Sequence, residues 1–349
     1  MGGLDPRAVG ALAAAAGVGP VGGVTPLAGG ANNRVFRLDT GTGPVLLKSY
    51  FRHPDDPRDR LAAEWAFARF AWDAGVRYTP RPLATDRDAG LALYEYVPGR
   101  SLHGTTATDA DVDEAIGFYR ALHAAKARAG SAELPRASES CFSLDDHFAT
   151  VARRVERLRS LPVGGVADLA AAAFVDGDLV PAWREVLTAA KADAAASRLP
   201  ADRPVATADR CVSPSDFGFH NALRESSGRL RFIDFEYAGW DDPAKLVCDF
   251  FCQPAVPAPA AAFDRFAAAV ADGCAEPPTF RARAALLLPV YRVKWVCIML
   301  NEFLPVGGSR RAFSGTAAEQ ESRKAAQLGK ARAALAVVTS PSTPTRKVA

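Results

Sequence analysis

The segment Ser213, Pro214, Ser215, Asp216, Phe217, Gly218, Phe219, His220, Asn221, followed by Ile233, Asp234, Phe235 and Glu236, sets polar side chains among apolar neighbours. Asp216 precedes Asn221 by five positions, and Asn221 precedes Asp234 by thirteen. Asp216 can accept a hydroxyl proton, the Asn221 amide can ligate a hard cation, and Asp234 offers a carboxylate to the same metal. Those are the parts needed to transfer a phosphoryl group from a metal-bound nucleotide. Taken singly, Asp216 and Asn221 also suit turns or caps, and His220 reads as a hydrogen-bonded structural histidine. Gly218 permits tight or left-handed backbone geometry.

These residues need a scaffold. Val35–Leu38 and Val45–Tyr50 are strand-like and joined by the turn-rich stretch 39–44, which predicts a hairpin. From Asp59 to Ala74, Leu61, Trp65, Ala68 and Trp72 recur at helical steps, with Gly75 placed as a C-cap. Leu91–Val97 is a further strand, stopped by Pro98 and Gly99. Lys48 at the end of an apolar strand and Glu64 on the helix, sixteen residues later, suit a buried ion pair, or else a snorkelling lysine and a solvated glutamate. Before the first strand, Gly29, Gly30, Asn32 and Asn33 suit either a loop whose N–H groups approach phosphate oxygens or an ordinary turn. They do not form a Walker A motif, and they lead into a strand and not a helix, which disfavours a dinucleotide site.

After Pro98 the pattern turns helical, over about 111–129, from Ser143 with Asp146 at capping-box spacing, and over about 180–196, 259–271, 280–303 and 316–338. The expected organisation is a lead-in at 1–20, a β-rich lobe at 21–97, a helical lobe at 98–338 and a disordered tail at 339–349. A chain of 349 residues is long enough for two such lobes. Its net charge of +3 is too weak to imply nucleic acid as a partner, so a small molecule is expected. The six cysteines lack metal-site spacing and read as reduced, mostly buried thiols. The apolar run 284–304 is interrupted by Arg292, Lys294 and Glu302, which argues against a membrane span, and the N-terminus is too weakly apolar for a secretory signal. A cytoplasmic location is the resulting expectation.

The order Gly29-Gly30-x-Asn32-Asn33, Lys48, Glu64, Tyr94 to Gly99, Leu122-His123, Asp216-x4-Asn221 and Ile233 to Gly239 resembles the aminoglycoside phosphotransferase and choline kinase superfamily over about residues 25–250. The stretch Asp234 to Gly239 is similar to the choline and ethanolamine branch in particular. The resemblance implies an α+β, two-lobed protein-kinase-like fold, with ATP between a small β-rich lobe and a larger helical one. It implies that Lys48 holds the α- and β-phosphates and pairs with Glu64, that Asp216 is the base, and that Asn221 and Asp234 bind Mg2+. It also implies that Gly29, Gly30 and Asn32 line the phosphates and that the backbone of Glu95, Tyr96 and Val97 bonds adenine. Pro214 stands where the family usually has a histidine, and Asp249 falls about three residues later than the usual aspartate.

The acceptor is expected in the helical lobe near Asp216, with Glu236, Asp241, Asp242 and Glu302 as candidate lining. Carboxylates there, with Trp240 or Trp295, would favour a cationic amino alcohol or amino sugar. A neutral sugar or nucleoside fits as well, since Asp145 and Asp146 suit a helix cap and Asp241-Asp242-Pro243 a turn. A nucleotide-binding pseudokinase is the alternative reading; such a chain would normally have lost the lysine, the base or a metal ligand.

Overall fold

Strict alternation decides what each face of the N-terminal sheet touches. In β3 (Gly43–Tyr50) Val45 and Leu47 are buried with Val9, Leu12 and Ala13 of the first helix, α1 (Pro6–Ala15). Leu46, Lys48 and Tyr50 point the other way, toward Leu61, Trp65 and Ala68 of α2 (Arg60–Asp73). The computed structural model describes residues 4–27, 33–52, 58–162, 164–304 and 317–339. Its five-stranded sheet has the order β1-β2-β3-β5-β4, where β1 is Val21–Leu27, β2 Asn33–Thr40, β4 Pro82–Asp86 and β5 Leu91–Glu95. All its pairings are antiparallel, and Lys48 sits opposite Val35 on one side and Ala92 on the other.

Both helices begin on aspartate caps. Asp5 accepts from the Arg7 N–H and Asp59 from the Ala62 N–H, a device worth about 1 kcal/mol each. Gly75, just past α2, has φ of 84°, the left-handed geometry expected of a helix stop. Strands β1 and β4 were not legible from the sequence: Gly22, Gly23 and Pro26 interrupt the first, and the second is short.

The remaining elements are β6 (Gly99–Ser101), α3 (Asp109–Ala125), α4 (Leu144–Leu158), α5 (Val166–Phe174), α6 (Val180–Ala196), β7 (Cys211–Ser213), β8 (Ala222–Glu225), β9 (Leu230–Phe232), β10 (Gly239–Asp241), α7 (Pro243–Cys252), α8 (Phe263–Ala271), α9 (Pro277–Met299) and α10 (Ala317–Thr339). The expected capping box at α4 is present, with Ser143 Oγ accepting from Asp146 N–H at 3.1 Å and Asp146 accepting from Ser143 N–H at 3.1 Å. Among the described residues one helical stretch, Pro277–Phe303, is long and apolar enough to cross a membrane, but 61% of the window is buried inside the protein. It is the central helix of the C-terminal region, in contact with α4, α6, α7, α8 and α10. All six cysteines are free thiols.

An aromatic core fixes the two polar loops. Phe217, next to Asp216, packs on Phe118, Phe232 and Phe250 with ring centres 5.7, 5.0 and 4.9 Å away. Phe235, next to Asp234, packs 4.6 Å from Phe67 of α2 and 6.2 Å from Phe118. Each aspartate is thus held beside a buried ring, and aromatic pairs of this kind add about 0.5–1.5 kcal/mol beyond their buried area.

Candidate active site

Lys48 is the point where sheet, helix and polar loops meet. Its Nζ donates to Glu64 Oε2 at 2.6 Å and to Asp234 Oδ1 at 2.5 Å. Burial alone would lower its pKa, but Asp234 and Glu64 more than offset that, so the pKa is raised above its ordinary value and the ammonium is kept. Tyr50 donates to the same Glu64 oxygen at 2.8 Å and lies 2.9 Å from the Tyr94 hydroxyl, bracing the glutamate from behind. Tyr50 is two residues from Lys48 and so on the same face of its strand, but no local pattern marks its bond to Glu64 or its contact with Tyr94.

The Asp216 loop is shaped by local bonds. Asn221 Nδ2 donates to the Asp216 carbonyl at 3.0 Å and to its Oδ2 at 3.3 Å, while His220 Nε2 lies 3.2 Å from Oδ1. The Ile233 N–H donates to the Asn221 carbonyl at 2.9 Å, and β8 pairs with β9, so the end of this loop is tied to the residue before Asp234. Ser215 and Asp234 both adopt positive φ, 67° and 69°. Non-glycine residues there carry strain of order 1–3 kcal/mol, which collects where side chains must be aimed. Gly218 is extended, with φ of 173°, so left-handed geometry is not why glycine stands there. A Cβ would come within 2.8 Å of His220 Nδ1 and 2.9 Å of Gln253 Cγ, so a side chain there would have to push the ring or Gln253 aside.

Residues 23–282 match the model of the phosphotransferase enzyme family. The chain belongs to that family. The phosphotransferase resembles in structure a choline/ethanolamine kinase family protein from Mesorhizobium loti at 21% identity and a TM-score of 0.56, over 95% of this chain and 98% of that one. It is similar to a spectinomycin phosphotransferase solved with ADP and spectinomycin, at 12% identity and a TM-score of 0.59, over 96% and 99% of the two chains. A hygromycin-bound aminoglycoside phosphotransferase, solved as a ternary complex with ADP, matches at 15% identity and a TM-score of 0.53, over 93% and 97%. No curated protein matches the sequence. The shared architecture is the two-part α+β fold that the resemblance implied, with a β-sheet N-terminal region and a helical C-terminal one.

Gly29, Gly30 and Asn32 lie outside the described residues of the phosphotransferase. At the expected hinge, the Glu95 N–H is taken by the Arg81 carbonyl at 2.8 Å, and the Val97 carbonyl accepts from Gly99 N–H at 2.9 Å. Tyr96 lies between them, its ring 5.2 Å beneath the Arg37 guanidinium. The Glu95 carboxylate accepts from Arg231 of β9 at 2.7 Å, tying the end of β5 to the strand that leads to Asp234.

The acceptor carboxylates read from the sequence need correction. Asp241 and Asp242 are 0% exposed and committed to internal partners. Asp241 accepts from Lys245 at 2.6 Å and from Cys141 N–H at 3.1 Å. Asp242 lies 3.0 Å from His147 Nε2, pairs with Arg283, and caps α7. An ion without solvent cannot be left unpaired, so these carboxylates hold the lobe together and present no free charge to an acceptor. Glu236, 3% exposed, accepts from Asn33 Nδ2 at 2.5 Å and lies 3.6 Å from Arg60 Nε, which ties β2 and α2 to the segment after Asp234. Glu302 is buried in the turn after α9, packed against α5 and α10. Glu236 borders a cavity of about 470 Å³ between α2, residues 133–138 and residues 236–238. Arg58 and Arg60 lie 5.5 and 5.9 Å from the Tyr237 ring beside it, so the aromatic face there already has cationic neighbours.

The buried histidine in this network makes stability depend on pH. Burial alone would lower the His147 pKa, but the bond to Asp242, with Cys141 adding to it, pushes it up to about 9. Its other nitrogen lies 2.7 Å from the Tyr291 hydroxyl. A pKa raised on folding stabilises fully below the unfolded value near 6.5 and is lost as pH climbs through about 9. That is worth about 3 kcal/mol at roughly 1.4 kcal/mol per unit. Urea unfolding at pH 6 and pH 9.5 should show a loss of that size, and His147→Gln should remove most of the difference. An equal pH dependence in the variant would show that other groups carry it.

Proposed function

We propose that the chain transfers the γ-phosphoryl group of ATP, in the presence of Mg2+, to a hydroxyl of a small molecule such as an amino alcohol, an amino sugar or a sugar. The observation that carries this is Lys48 bonded at once to Glu64 and Asp234, a buried ammonium held between a carboxylate of α2 and one just after β9. In this reading Lys48 binds the α- and β-phosphates, held straight by Glu64. Asn221 and Asp234 supply hard oxygen ligands; Asp234 keeps 30% of its side chain exposed. Among the described residues no group of three or more His, Cys, Asp or Glu could hold a metal unaided. That fits an ion bound by one carboxylate, one amide and nucleotide oxygens, as is usual for Mg2+.

Bound Mg2+ would neutralise charge on the β- and γ-phosphates. Asp216 orients the acceptor hydroxyl and takes its proton, the one acid–base step the chain must provide. Gly29, Gly30 and Asn32 are assigned to the phosphates and the backbone of Glu95 to Val97 to the adenine. Lysine, base and both metal ligands are all retained, which speaks against a pseudokinase. The test is ADP formation with Mg2+ and ATP across amino alcohols, aminoglycosides, sugars and nucleosides. At least one acceptor should stimulate it well above the rate in water. Tight nucleotide binding with no stimulation by any acceptor would overturn the reading in favour of a nucleotide-binding role.

A further inference from the structure

We infer that His220 is a positioning residue for Asp216, supplying from four residues after the aspartate the support that Pro214 cannot give from two residues before it. The inference rests on the proposed role of Asp216. Proline has no side-chain donor, and Pro214 therefore leaves the Asp216 carboxylate without support from that side. The single turn Phe219–Asn221 brings the chain back so that His220 Nε2 reaches Oδ1 at 3.2 Å, while Asn221 Nδ2 reaches Oδ2 at 3.3 Å. The carboxylate is thus held at both oxygens by adjacent residues.

Two further observations show that the imidazole is seated for this contact. Its Nδ1 is buried and has no hydrogen-bond partner among the described residues, a cost that a purely structural histidine would shed by turning or by being replaced. With Nδ1 unpartnered, Asp216 is the ring's one polar contact among the described residues, and Nε2 is the nitrogen that donates to it. Beneath the ring lies Gly218, where a Cβ would stand 2.8 Å from Nδ1 and 3.0 Å from Cε1. The glycine clears the space that lets the ring lie against the loop. A base misplaced by about 1 Å can cost on the order of 100-fold in rate, so a second anchor matters to catalysis out of proportion to its strength.

The reach of the donor separates positioning from other roles. A glutamine amide nitrogen matches the place of Nε2, whereas an asparagine amide matches Nδ1 and stops short of Asp216. Turnover of MgATP is measured with water and with the best acceptor from the panel, alongside thermal unfolding. His220→Asn should lower kcat by roughly 10- to 100-fold with KM for ATP within about twofold. His220→Gln should stay within about threefold of wild type. Gly218→Ala, which displaces the ring while keeping the histidine, should fall with the asparagine variant. Equal rates for the Gln and Asn variants, fast or slow, would overturn the inference while leaving the phosphotransfer reading intact. A wild-type protein with no turnover at all would instead remove that reading and this inference with it.

Discussion

Replacing Asp216 with asparagine should lower the rate of phosphoryl transfer by about 10²- to 10⁴-fold, the usual range for loss of a general base. The substitution keeps size and shape, so Phe217 should hold its place among Phe118, Phe232 and Phe250. Folding and nucleotide affinity should therefore change little, and the loss should fall on kcat. The asparagine amide would also face the Asn221 and His220 nitrogens that now approach two carboxylate oxygens, which adds a misfit. Steady-state kinetics with a responsive acceptor, set beside nucleotide binding by calorimetry, separates these effects. A parallel loss of binding and turnover would mean that Asp216 shapes the loop and does not act on the acceptor.

Asp249→Ala should destabilise the fold by about 3–5 kcal/mol, because it leaves buried ammonium groups without their counter-charge. Asp249 accepts from Lys294 at 2.9 and 2.8 Å and from Trp295 Nε1 at 2.9 Å, and Lys245 stands 3.6 Å away. Burial would raise its pKa, yet Lys294 and Lys245 hold the carboxyl below its ordinary value. Removing the pair together, as Asp249→Leu with Lys294→Met, should recover much of the loss, since the desolvation cost disappears with the charges. Urea titrations of both variants supply the comparison. A single variant within 1 kcal/mol of wild type would show that water reaches the site in solution.

Candidates for the nucleotide side of the site were legible because they follow short-range patterns: Lys48 lies on a strand, Glu64 shares a helix face with Leu61, and Asp216, Asn221 and Asp234 fall at suggestive spacing, while their roles came with the family resemblance. Tyr50 shares the strand face of Lys48, but nothing local marks its bond to Glu64. The acceptor half is different. Asp241 and Asp242 suited either an acceptor lining or a turn; the Asp241–Lys245 pair is local, but Cys141, His147 and Arg283 reach them from 100, 95 and 41 positions away, which no local pattern announces. Asp249 is set apart in the sequence only by falling about three residues later than the usual family aspartate; its partner Lys294 reaches it from α9 across 45 positions. Strand β1 was missed because its glycines and proline break alternation, and its stability comes from pairing with β2. Glycine at 218 was legible as a special position, but the reason is contact with His220 and Gln253 and not backbone handedness.

The most direct test of phosphoryl transfer is a phosphorus NMR record of ATP, Mg2+ and the responsive acceptor with the wild-type chain. A phosphomonoester resonance should grow as the γ-phosphate signal declines, should require Mg2+, and should be absent with Asp216→Asn over the same period. Accumulation of inorganic phosphate alone, or an undiminished ester signal in the variant, would contradict the account.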